Sequence, residues 1–322
     1  MRSTSTPAAA VGFVGLGTMG APMAARLRAA GVPVVVHNRD RAKAEPLLAS
    51  GASWADSPRA LAREATAGVV FVMVSDGRAV RAVVFGRHGV AAGAPPGALV
   101  VNLSTIAPEE SRAISERLGR RGLRYLEAPV GGSRDAAARG ELLVFAGGSA
   151  SDLETARPYL ARFASSVELV GPVGMGMAMK LVNNLVTVTT VAVDAEAIAF
   201  AEALGLDPTR TVDLLLAGAG ASRMLSNKRE AFAQGSYPVQ FRLALAEKDL
   251  RLIGQAAREV GSRTPIAREA RRLAQEALRA GLGDQDLAVL LEAARRRGRA
   301  PEGRPAVDAG SPPPTGPGGT SG

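Results

Sequence analysis

Short apolar runs alternate with amphipathic segments through the first half of the chain. Residues 11–14 are apolar, a glycine-rich turn follows at once, and Met23, Leu27 and Ala30 then keep a helical spacing before a second apolar run at 34–36. The same pattern predicts further strands at residues 68–74, 98–103, 124–127, 142–146 and 167–170. Strands separated by helices are typical of a parallel sheet covered on both faces, so we predict an α/β domain with a doubly wound sheet.

The second half of the chain carries a helical pattern. Residues 175–204 form one long apolar stretch without proline, and helical spacing continues through residues 208–216, 244–260, 265–280 and 285–297. The long stretch is apolar enough to raise the question of a membrane span. It is interrupted, however, by Lys180, Asn183, Asn184, Asp194, Glu196 and Glu202. We therefore expect no membrane span and predict an all-α domain built around this helix.

Both ends of the chain differ from its middle. Residues 1–9 are small and polar and predict a flexible N-terminus. Residues 298–322 contain 7 Gly and 6 Pro and cannot build a core, so a disordered tail is expected there. The predicted domains are therefore residues 10–173 for the α/β part and residues 174–297 for the helical part.

Composition narrows the chemistry. The chain has 322 residues, 47% of them hydrophobic, with no Cys and two His. These counts exclude a thiolate nucleophile, a disulfide and Cys-ligated zinc, and leave almost nothing for a His-based metal site. The net charge of +9 is spread along the chain, apart from one arginine cluster at 295–299, so we expect no nucleic-acid partner. No secretory signal is recognisable, and a cytoplasmic location is the expectation.

The glycine turn predicts a dinucleotide site. Gly15, Gly17 and Gly20 follow a strand and open a helix. In that context the first glycine permits the tight turn, the second lets a pyrophosphate approach the backbone, and the third allows close packing of helix and sheet. The phosphates are then favoured by the free N–H groups of the helix N-terminus. We count Leu16 and Met19 in the same cofactor-binding turn; a glycine turn without a ligand is the alternative.

The residues after the second strand indicate which cofactor is preferred. Sites selective for NAD usually place an acidic residue there to bind the ribose 2′-hydroxyl. This chain has Asn38 and Arg39, which can hydrogen-bond and pair with a 2′-phosphate. Asp40 is the competing partner for a 2′-hydroxyl, but it lies two residues beyond the expected position. We expect NADP rather than NAD.

The long helix carries a candidate proton donor near its start. Lys180 and Asn184 are four residues apart and share one helix face. A partly desolvated lysine beside a nicotinamide has a lowered pKa, which suits proton transfer near neutral pH. The alternative is a lysine whose ammonium group reaches solvent at the helix start.

Five motifs, in order along the chain, resemble the β-hydroxyacid dehydrogenase family, which includes 3-hydroxyisobutyrate dehydrogenase and glyoxylate/succinic semialdehyde reductase. They are residues 11–20, 102–108, 127–133, 171–184 and 247–250; Pro265 and residues 283–286 also fall where the family has them. The likeness covers residues 11–296, and the spacing of its motifs is closest to the semialdehyde reductase branch. It implies a Rossmann-type domain followed by an all-α domain for substrate binding and dimerisation.

The resemblance also implies residue roles. Lys180 corresponds to the catalytic acid and base, and Asn184 to a substrate-binding residue. Thr105 and Lys248 correspond to cofactor contacts, with Lys248 able to close over the cofactor. Phe241 and Asp249 match active-site positions. Simpler interpretations stay open, since Phe241 can be core, Asp249 a surface acid, and Thr105 an N-cap ahead of Pro108.

Two positions depart from the family pattern. The family's substrate loop carries Ser where this chain has Gly131. Backbone N–H groups at Gly131 or Gly132 can still hold a substrate carboxylate, and Ser133 is the nearest hydroxyl that could replace the missing one. The family also often has Asp where this chain has Asn102, a change of smaller expected consequence.

These observations predict an enzyme that interconverts a small, carboxylate-bearing hydroxy acid and its aldehyde or keto form with NADP. Imine reductases share the architecture but typically lack the lysine, so Lys180 argues against them. A dinucleotide-binding module without catalytic activity is the second alternative. The apolar helical domain favours a homodimer or homotetramer.

Overall fold

The computed structural model describes residues 9–298. The flexible N-terminus and the disordered tail predicted for residues 1–9 and 298–322 therefore lie, but for Ala9 and Gly298, outside the described residues. Within the described residues, the chain forms a sheet with helices on both faces, followed from Met175 onward by helices alone.

Nine strands of the described chain form a single sheet. They are β1 (Val11–Val14), β2 (Val34–His37), β3 (Ser53–Trp54), β4 (Val69–Val72), β5 (Leu99–Asn102), β6 (Arg124–Glu127), β7 (Val130–Gly131), β8 (Leu142–Gly147) and β9 (Ala164–Gly171). The order is β3-β2-β1-β4-β5-β6-β8-β7, and β9 pairs with β8. The apolar pattern predicted seven of these strands and missed β3 and β7, because two residues are too few to show a pattern.

The sheet is parallel only in part. Strands β1 to β6 pair in parallel, as the alternation of strands and helices predicted. Strand β8 runs antiparallel to β6 and to β7, and then parallel to β9. The departure begins at β8, because β6 and β7 run in the same direction and β8 pairs antiparallel with both. The fold class is nevertheless the predicted one, a doubly wound sheet followed by an all-helical region.

Helices cover both faces of the sheet. They are α1 (Gly20–Ala29), α2 (Glu45–Ala49), α3 (Pro58–Glu64), α4 (Gly77–Phe85), α5 (Pro108–Gly119), α6 (Arg134–Arg139) and α7 (Ala150–Leu160), with 3₁₀ turns at Arg41–Ala44 and Val90–Ala92. Alternate residues of a strand point to opposite faces, so Val69 and Phe71 of β4 join the core under α1, α2, α6 and α7. Val70 and Val72 join the core under α3, α4 and α5.

The helical region is built around one long helix. It contains α8 (Met175–Ala203), α9 (Pro208–Ala217), α10 (Arg223–Asn227), α11 (Arg229–Gln234), α12 (Leu243–Glu259), α13 (Pro265–Arg279), a 3₁₀ turn at Leu287–Val289 and α14 (Leu290–Gly298). The predicted helix at 285–297 therefore begins as a 3₁₀ turn. Helices α10 and α11 were not predicted, because each is too short to develop a helical period.

Helix α8 is long and apolar enough to cross a membrane by length and composition, with a mean hydropathy of 1.4 in its most apolar window. Half of that window is buried, and the helix packs against α12, α13 and α14. Its residues Val188, Val191, Ala195 and Ile198 belong to the core of the helical region. Its hydrophobicity is thus that of a central helix in a folded domain.

Candidate active site

Three parts of the fold meet where the parallel strands end. Helix α8 begins beside the end of β6, because three backbone N–H groups at its start bond to the side chain of Glu127. Helix α12 reaches the loop after β5, because Lys248 Nζ donates to the carbonyl oxygen of Thr105 at 2.7 Å. Ligands of open α/β sheets bind outside the carboxyl ends of the strands, so this is the place to look for chemistry.

Lys180 points into this junction and is 8% exposed. Its Nζ donates to Asn184 Oδ1 at 2.8 Å, and Asn184 Nδ2 donates to Asp249 Oδ2 at 2.6 Å. Asn183 Nδ2 also donates to Asn184 Oδ1 at 3.1 Å. The lysine is therefore held inside the protein and does not extend to solvent. The interpretation of Asp249 as a surface acid is likewise wrong, because this carboxylate is buried.

The surroundings of Lys180 tune its proton affinity. Burial lowers the pKa of Lys180 to about 8, because an ammonium loses solvation inside the protein. The negative charge of Asp249 opposes this change, and the positive charge of Lys248 adds to it. A lysine with this pKa is protonated at neutral pH and can release its proton readily, as a general acid must.

Lys248 bridges the two halves of the protein. Besides its bond to Thr105, its Nζ forms an ion pair of 2.9 Å with the adjacent Asp249. The N-cap position of α5 is occupied by Ala107, so the interpretation of Thr105 as that cap is wrong. The structure thus connects five of the predicted site residues by polar contacts. In the order of these contacts they are Lys180, Asn184, Asp249, Lys248 and Thr105.

The predicted substrate loop follows β6. Gly131 is buried, and a Cβ added there would lie 3.3 Å from the ring of Phe145. Gly132 has a φ of +129°, a conformation that favours glycine. The Ser133 hydroxyl accepts a hydrogen bond from the Ala136 backbone N–H at 3.2 Å, which caps α6. The cap uses this hydroxyl as an acceptor only, so its proton can still be donated to a substrate carboxylate.

The glycine turn has the shape that a dinucleotide requires. Gly15 has a φ of +98°, and a Cβ there would overlap the carbonyl oxygen of Met73. A Cβ on Gly20 would overlap the Gly15 carbonyl, whereas Gly17 faces open space with nothing within 4 Å. Helix α1 has Met19 at its N-cap, no side-chain cap and no acidic residue in its first turn. No side chain of the first turn competes with a pyrophosphate, but Ala21 and Met23 already use their N–H groups on the carbonyls of Gly17 and Met19, and Pro22 has none. The glycine turn that leads into the helix is therefore the part that would hold the pyrophosphate, and the residues present fit the cofactor.

Two of the three residues after β2 form hydrogen bonds within the protein that the sequence did not indicate. Asn38 Oδ1 accepts from the Leu16 backbone N–H at 3.0 Å, and its Nδ2 donates to the Asp40 carbonyl at 2.8 Å. Asn38 thus holds the glycine turn to the end of β2. Asp40 Oδ1 caps the following 3₁₀ turn through Ala42 N–H at 3.1 Å. Arg39 is exposed beside them.

Phe241 lies just before α12 and is partly buried against the core of the helical region. Its backbone N–H donates to Asp286 Oδ2 at 2.9 Å. The packing agrees with the interpretation of Phe241 as core.

Sequence reasoning assigned no role to Glu127, which opens the substrate-loop motif, or to the buried ion pair of Lys228 and Asp286. The signal for Glu127 was a carboxylate at the last position of a predicted strand of the sheet.

Comparison with known proteins agrees with this architecture in both halves. Residues 10–171 match the family model described as the NAD binding domain of 6-phosphogluconate dehydrogenase. Residues 174–294 match the model described as NAD-binding of NADP-dependent 3-hydroxyisobutyrate dehydrogenase. The chain is also 36% identical over 283 residues to glyoxylate/succinic semialdehyde reductase 2, chloroplastic, of Arabidopsis thaliana, covering 88% of this chain and 78% of the relative. The chain belongs to the β-hydroxyacid dehydrogenase family.

Solved structures of similar proteins support the family assignment. The crystal structure of 3-hydroxyisobutyrate dehydrogenase from Salmonella typhimurium has a TM-score of 0.82 at 30% identity, covering 88% of this chain and 99% of that one. A structure of Psf3 in complex with NADP+ and 2-OPP has a TM-score of 0.81 at 31% identity, with the same coverage. The predicted family and enzyme class are confirmed: this β-hydroxyacid dehydrogenase is an NAD(P)-dependent oxidoreductase of hydroxy acids.

Proposed function

We propose that this β-hydroxyacid dehydrogenase interconverts a small hydroxy acid and its semialdehyde or keto acid, with Lys180 as general acid in reduction and general base in oxidation. The observation that carries the proposal is the buried Lys180 ammonium, with a pKa of about 8 and bonded to Asn184. The ammonium is the proton donor at the junction where the strand ends, α8 and α12 meet.

The cofactor supplies the hydride when bound, and the residues of the chain supply orientation, a proton and charge. Lys180 gives its Nζ proton to the substrate carbonyl oxygen, and its positive charge stabilises the negative charge that develops there. Asn184 holds the lysine and can donate its amide to the same oxygen. Asp249 fixes the Asn184 amide by accepting from Nδ2. Thr105 and Lys248 would contact the cofactor, and Lys248 would close over it.

The substrate carboxylate is assigned to the loop after β6. Its ligands there are backbone N–H groups at Gly131 and Gly132, together with the Ser133 hydroxyl, whose oxygen caps α6 while its proton stays free to donate. Glycine at position 131 adds no side chain beside the carboxylate. Phe241 is the proposed boundary of the site on the helical side, through the part of its side chain that the core leaves uncovered. The names of the relatives, which include a glyoxylate/succinic semialdehyde reductase, suggest a short-chain aldehyde or keto acid.

The test is NADPH oxidation, followed by absorbance, with glyoxylate, succinic semialdehyde and methylmalonate semialdehyde as substrates. Turnover of at least one supports the proposal. No turnover with any of them, but activity with a cyclic imine, would identify an imine reductase. Tight NADPH binding without turnover of either class would identify a binding module without catalytic activity.

We further propose that the enzyme prefers NADP over NAD. The support is Arg39, which is exposed beside the glycine turn, together with the engagement of Asp40 as a cap of the 3₁₀ turn. A guanidinium pairs well with a 2′-phosphate, whereas the capping carboxylate has one oxygen already occupied.

Replacing Arg39 by alanine is expected to weaken NADPH binding about 10- to 100-fold, because a hydrogen bond to a charged group contributes roughly 1.5–3 kcal/mol. NADH binding should change less than about twofold, since NADH lacks the phosphate. Titration of nicotinamide fluorescence measures both constants. Arg263→Ala, at an exposed position between α12 and α13, is the matched control. Equal loss for both cofactors in Arg39→Ala would refute the role of Arg39 in cofactor choice.

We also propose that the protein is a homo-oligomer that uses the outer face of α8. Large apolar side chains are exposed along one face of this helix, at Met179, Val182, Val186, Val193 and Phe200. Their spacing of three, four and seven residues places them in one stripe. A contiguous apolar patch of this kind usually marks an interface, and a second copy of the same helix covers it symmetrically.

Replacing Val186 by glutamate is expected to shift the protein to a smaller assembly, because a charge would be buried in the centre of the stripe. Val186 is 59% exposed in a single chain. Light scattering coupled to size-exclusion chromatography measures the mass. Val260→Glu, at an apolar position that is 79% exposed but off α8, is the control. An unchanged mass in Val186→Glu would place the interface elsewhere.

A further inference from the structure

A buried chain of hydrogen bonds ends on the carboxylate of Glu127. Asn102 Nδ2 donates to the Tyr125 hydroxyl at 3.1 Å, and the Tyr125 and Ser111 hydroxyls are 2.8 Å apart. Ser111 donates its proton to Glu127 Oε2. All four side chains are buried.

The direction of this chain follows from its donors. Asn102 Oδ1 accepts from the Ser104 backbone N–H, which fixes the Asn102 amide nitrogen towards Tyr125. The single proton of Ser111 is used on Glu127, so Tyr125 must donate to Ser111. Every bond therefore points towards Glu127, the acceptor at the end of the chain. Burial raises the pKa of Glu127, while Ser111 and the backbone N–H groups favour its charged form.

The second oxygen of Glu127 caps the helix that carries Lys180. Glu127 Oε1 accepts from the backbone N–H groups of Gly174 and Gly176 at 2.8 Å each, and of Met177 at 3.2 Å. Helix α8 has no side-chain cap of its own, because Gly174 occupies the N-cap position. A carboxylate from β6 thus satisfies the free N–H groups of α8 and the positive end of its dipole.

The packing around Glu127 leaves room only for this arrangement. A Cβ on Gly147 would overlap Glu127 Oε1, and a Cβ on Gly176 would overlap the carbonyl oxygen of Phe145. Both glycines are needed to bring β8, the carboxylate and the start of α8 together. Lys180 lies in the second turn of α8, so its position along the helix axis depends on where Glu127 holds the first turn.

The same series of hydrogen bonds also begins and ends next to the substrate loop and the loop that carries Thr105. The residue after Glu127 begins the substrate loop, and Asn102 begins the loop that carries Thr105. One connected network therefore reaches the start of the helix that carries Lys180, the beginning of the substrate loop and the beginning of the loop that carries Thr105. A hydrogen-bond network that is fully satisfied and buried fixes one geometry.

We propose that Glu127 is a positioning residue of the reaction, which sets the placement of Lys180 relative to the substrate loop by anchoring the start of α8. The inference rests on the proposed role of Lys180. Glu127 touches neither substrate nor cofactor in this scheme, and its effect on rate is transmitted through α8.

The test compares Glu127→Gln, Glu127→Asp and Ser111→Ala with the exposed control Glu154→Gln. In folded Glu127→Gln we expect kcat to fall about 100-fold, the effect of misplacing a catalytic group by about 1 Å. The Kd for NADPH should stay within about twofold, because the contacts of Glu127 itself are to Ser111 and the start of α8, and to neither the glycine turn nor the residues from 103 to 105. Glu127→Asp should recover part of the rate, and Ser111→Ala should reduce kcat less than Glu127→Gln. In Glu127→Gln we also expect faster backbone hydrogen exchange at residues 174–177 than in the wild-type protein. This measurement is independent of activity.

A double-mutant cycle with Lys180→Ala separates the two proposals. If Glu127 acts through Lys180, Glu127→Gln lowers the residual rate of Lys180→Ala by less than about threefold. A full 100-fold loss in that background, or an unchanged kcat in folded Glu127→Gln, would overturn the inference. Full activity of Lys180→Ala alone would overturn the proposed function instead, while the exchange data would still report whether Glu127 anchors α8.

Discussion

Lys180→Ala is expected to lower kcat by about 100- to 10,000-fold, the contribution typical of a positioned general acid or base. Alanine removes the buried ammonium that is bonded to Asn184, and with it the proton and the positive charge proposed to act on the substrate at the junction of the strand ends, α8 and α12. The Kd for NADPH should change little, because the glycine turn and Arg39 lie on the first strands of the sheet. Steady-state kinetics and fluorescence titration measure the two effects separately.

Lys180→Arg is the matched control for charge. A guanidinium keeps the positive charge but does not release a proton at accessible pH, so this variant should stay close to the activity of the alanine variant. Recovery of the wild-type rate in Lys180→Arg would mean that charge alone is sufficient and that the proton comes from elsewhere.

The pH dependence of the wild-type enzyme provides a second check on Lys180. Its pKa of about 8 means that the protonated form predominates below pH 8 and the neutral form above it. Reduction needs the proton, so its rate should fall as the pH rises through about 8. Oxidation needs the neutral base, so its rate should rise through the same range. A profile that is flat there in both directions would contradict the assignment.

Asp286→Ala is expected to destabilise the fold by about 3–5 kcal/mol, the cost of leaving one member of a buried ion pair alone. Lys228 Nζ and an Asp286 carboxylate oxygen are 2.7 Å apart, and the side chains are 5% and 1% exposed. Asp286 also accepts from three backbone N–H groups, those of Gln240, Phe241 and Ala288. Alanine would therefore leave a buried ammonium and three backbone donors without their acceptor. Guanidinium unfolding measures the loss.

An exposed pair with the same separation is the control. Arg229 and Asp213 are also 2.7 Å apart, but their side chains are 43% and 49% exposed. Asp213→Ala should cost less than about 1 kcal/mol, because water replaces the lost partner. Lys228→Met should cost less than Asp286→Ala, since the three backbone N–H groups still compensate the carboxylate. A loss from Asp286→Ala no larger than that from Asp213→Ala would show that the buried pair contributes little.

The lysine and its partner on α8 could be predicted because they lie on one helix. Lys180 and Asn184 are one turn apart, so their proximity follows from helical geometry alone. Their burial does not follow from it. The same spacing of four residues is compatible with a lysine whose ammonium group reaches solvent. Only the packing of α8 between the sheet and α12 excluded that outcome.

The acidic partners could not be paired from the sequence, because they lie far along the chain. Asn184 and Asp249 are 65 residues apart, and the Glu127 contacts to α8 span 47 to 50 residues. Lys248 and Thr105 are separated by 143 residues. Family resemblance marked most of these positions but not which atoms meet. The contact of Asn38 could not be predicted either. The sequence assigned Asn38 to the cofactor, whereas in the structure its side chain also bonds the glycine turn to the end of β2.

By itself, the sequence determined the features that depend on near neighbours. These are the apolar strands of the sheet, the glycine turn at the start of α1, the long helix α8 and, through its ordered motifs, the family. Only the tertiary structure decided the antiparallel pairing of β8, the burial and lowered pKa of Lys180 and the capping of α8 by Glu127. The reason is physical: periodicity and turn geometry act over a few residues, whereas desolvation and hydrogen bonding in the interior depend on which distant segments pack together.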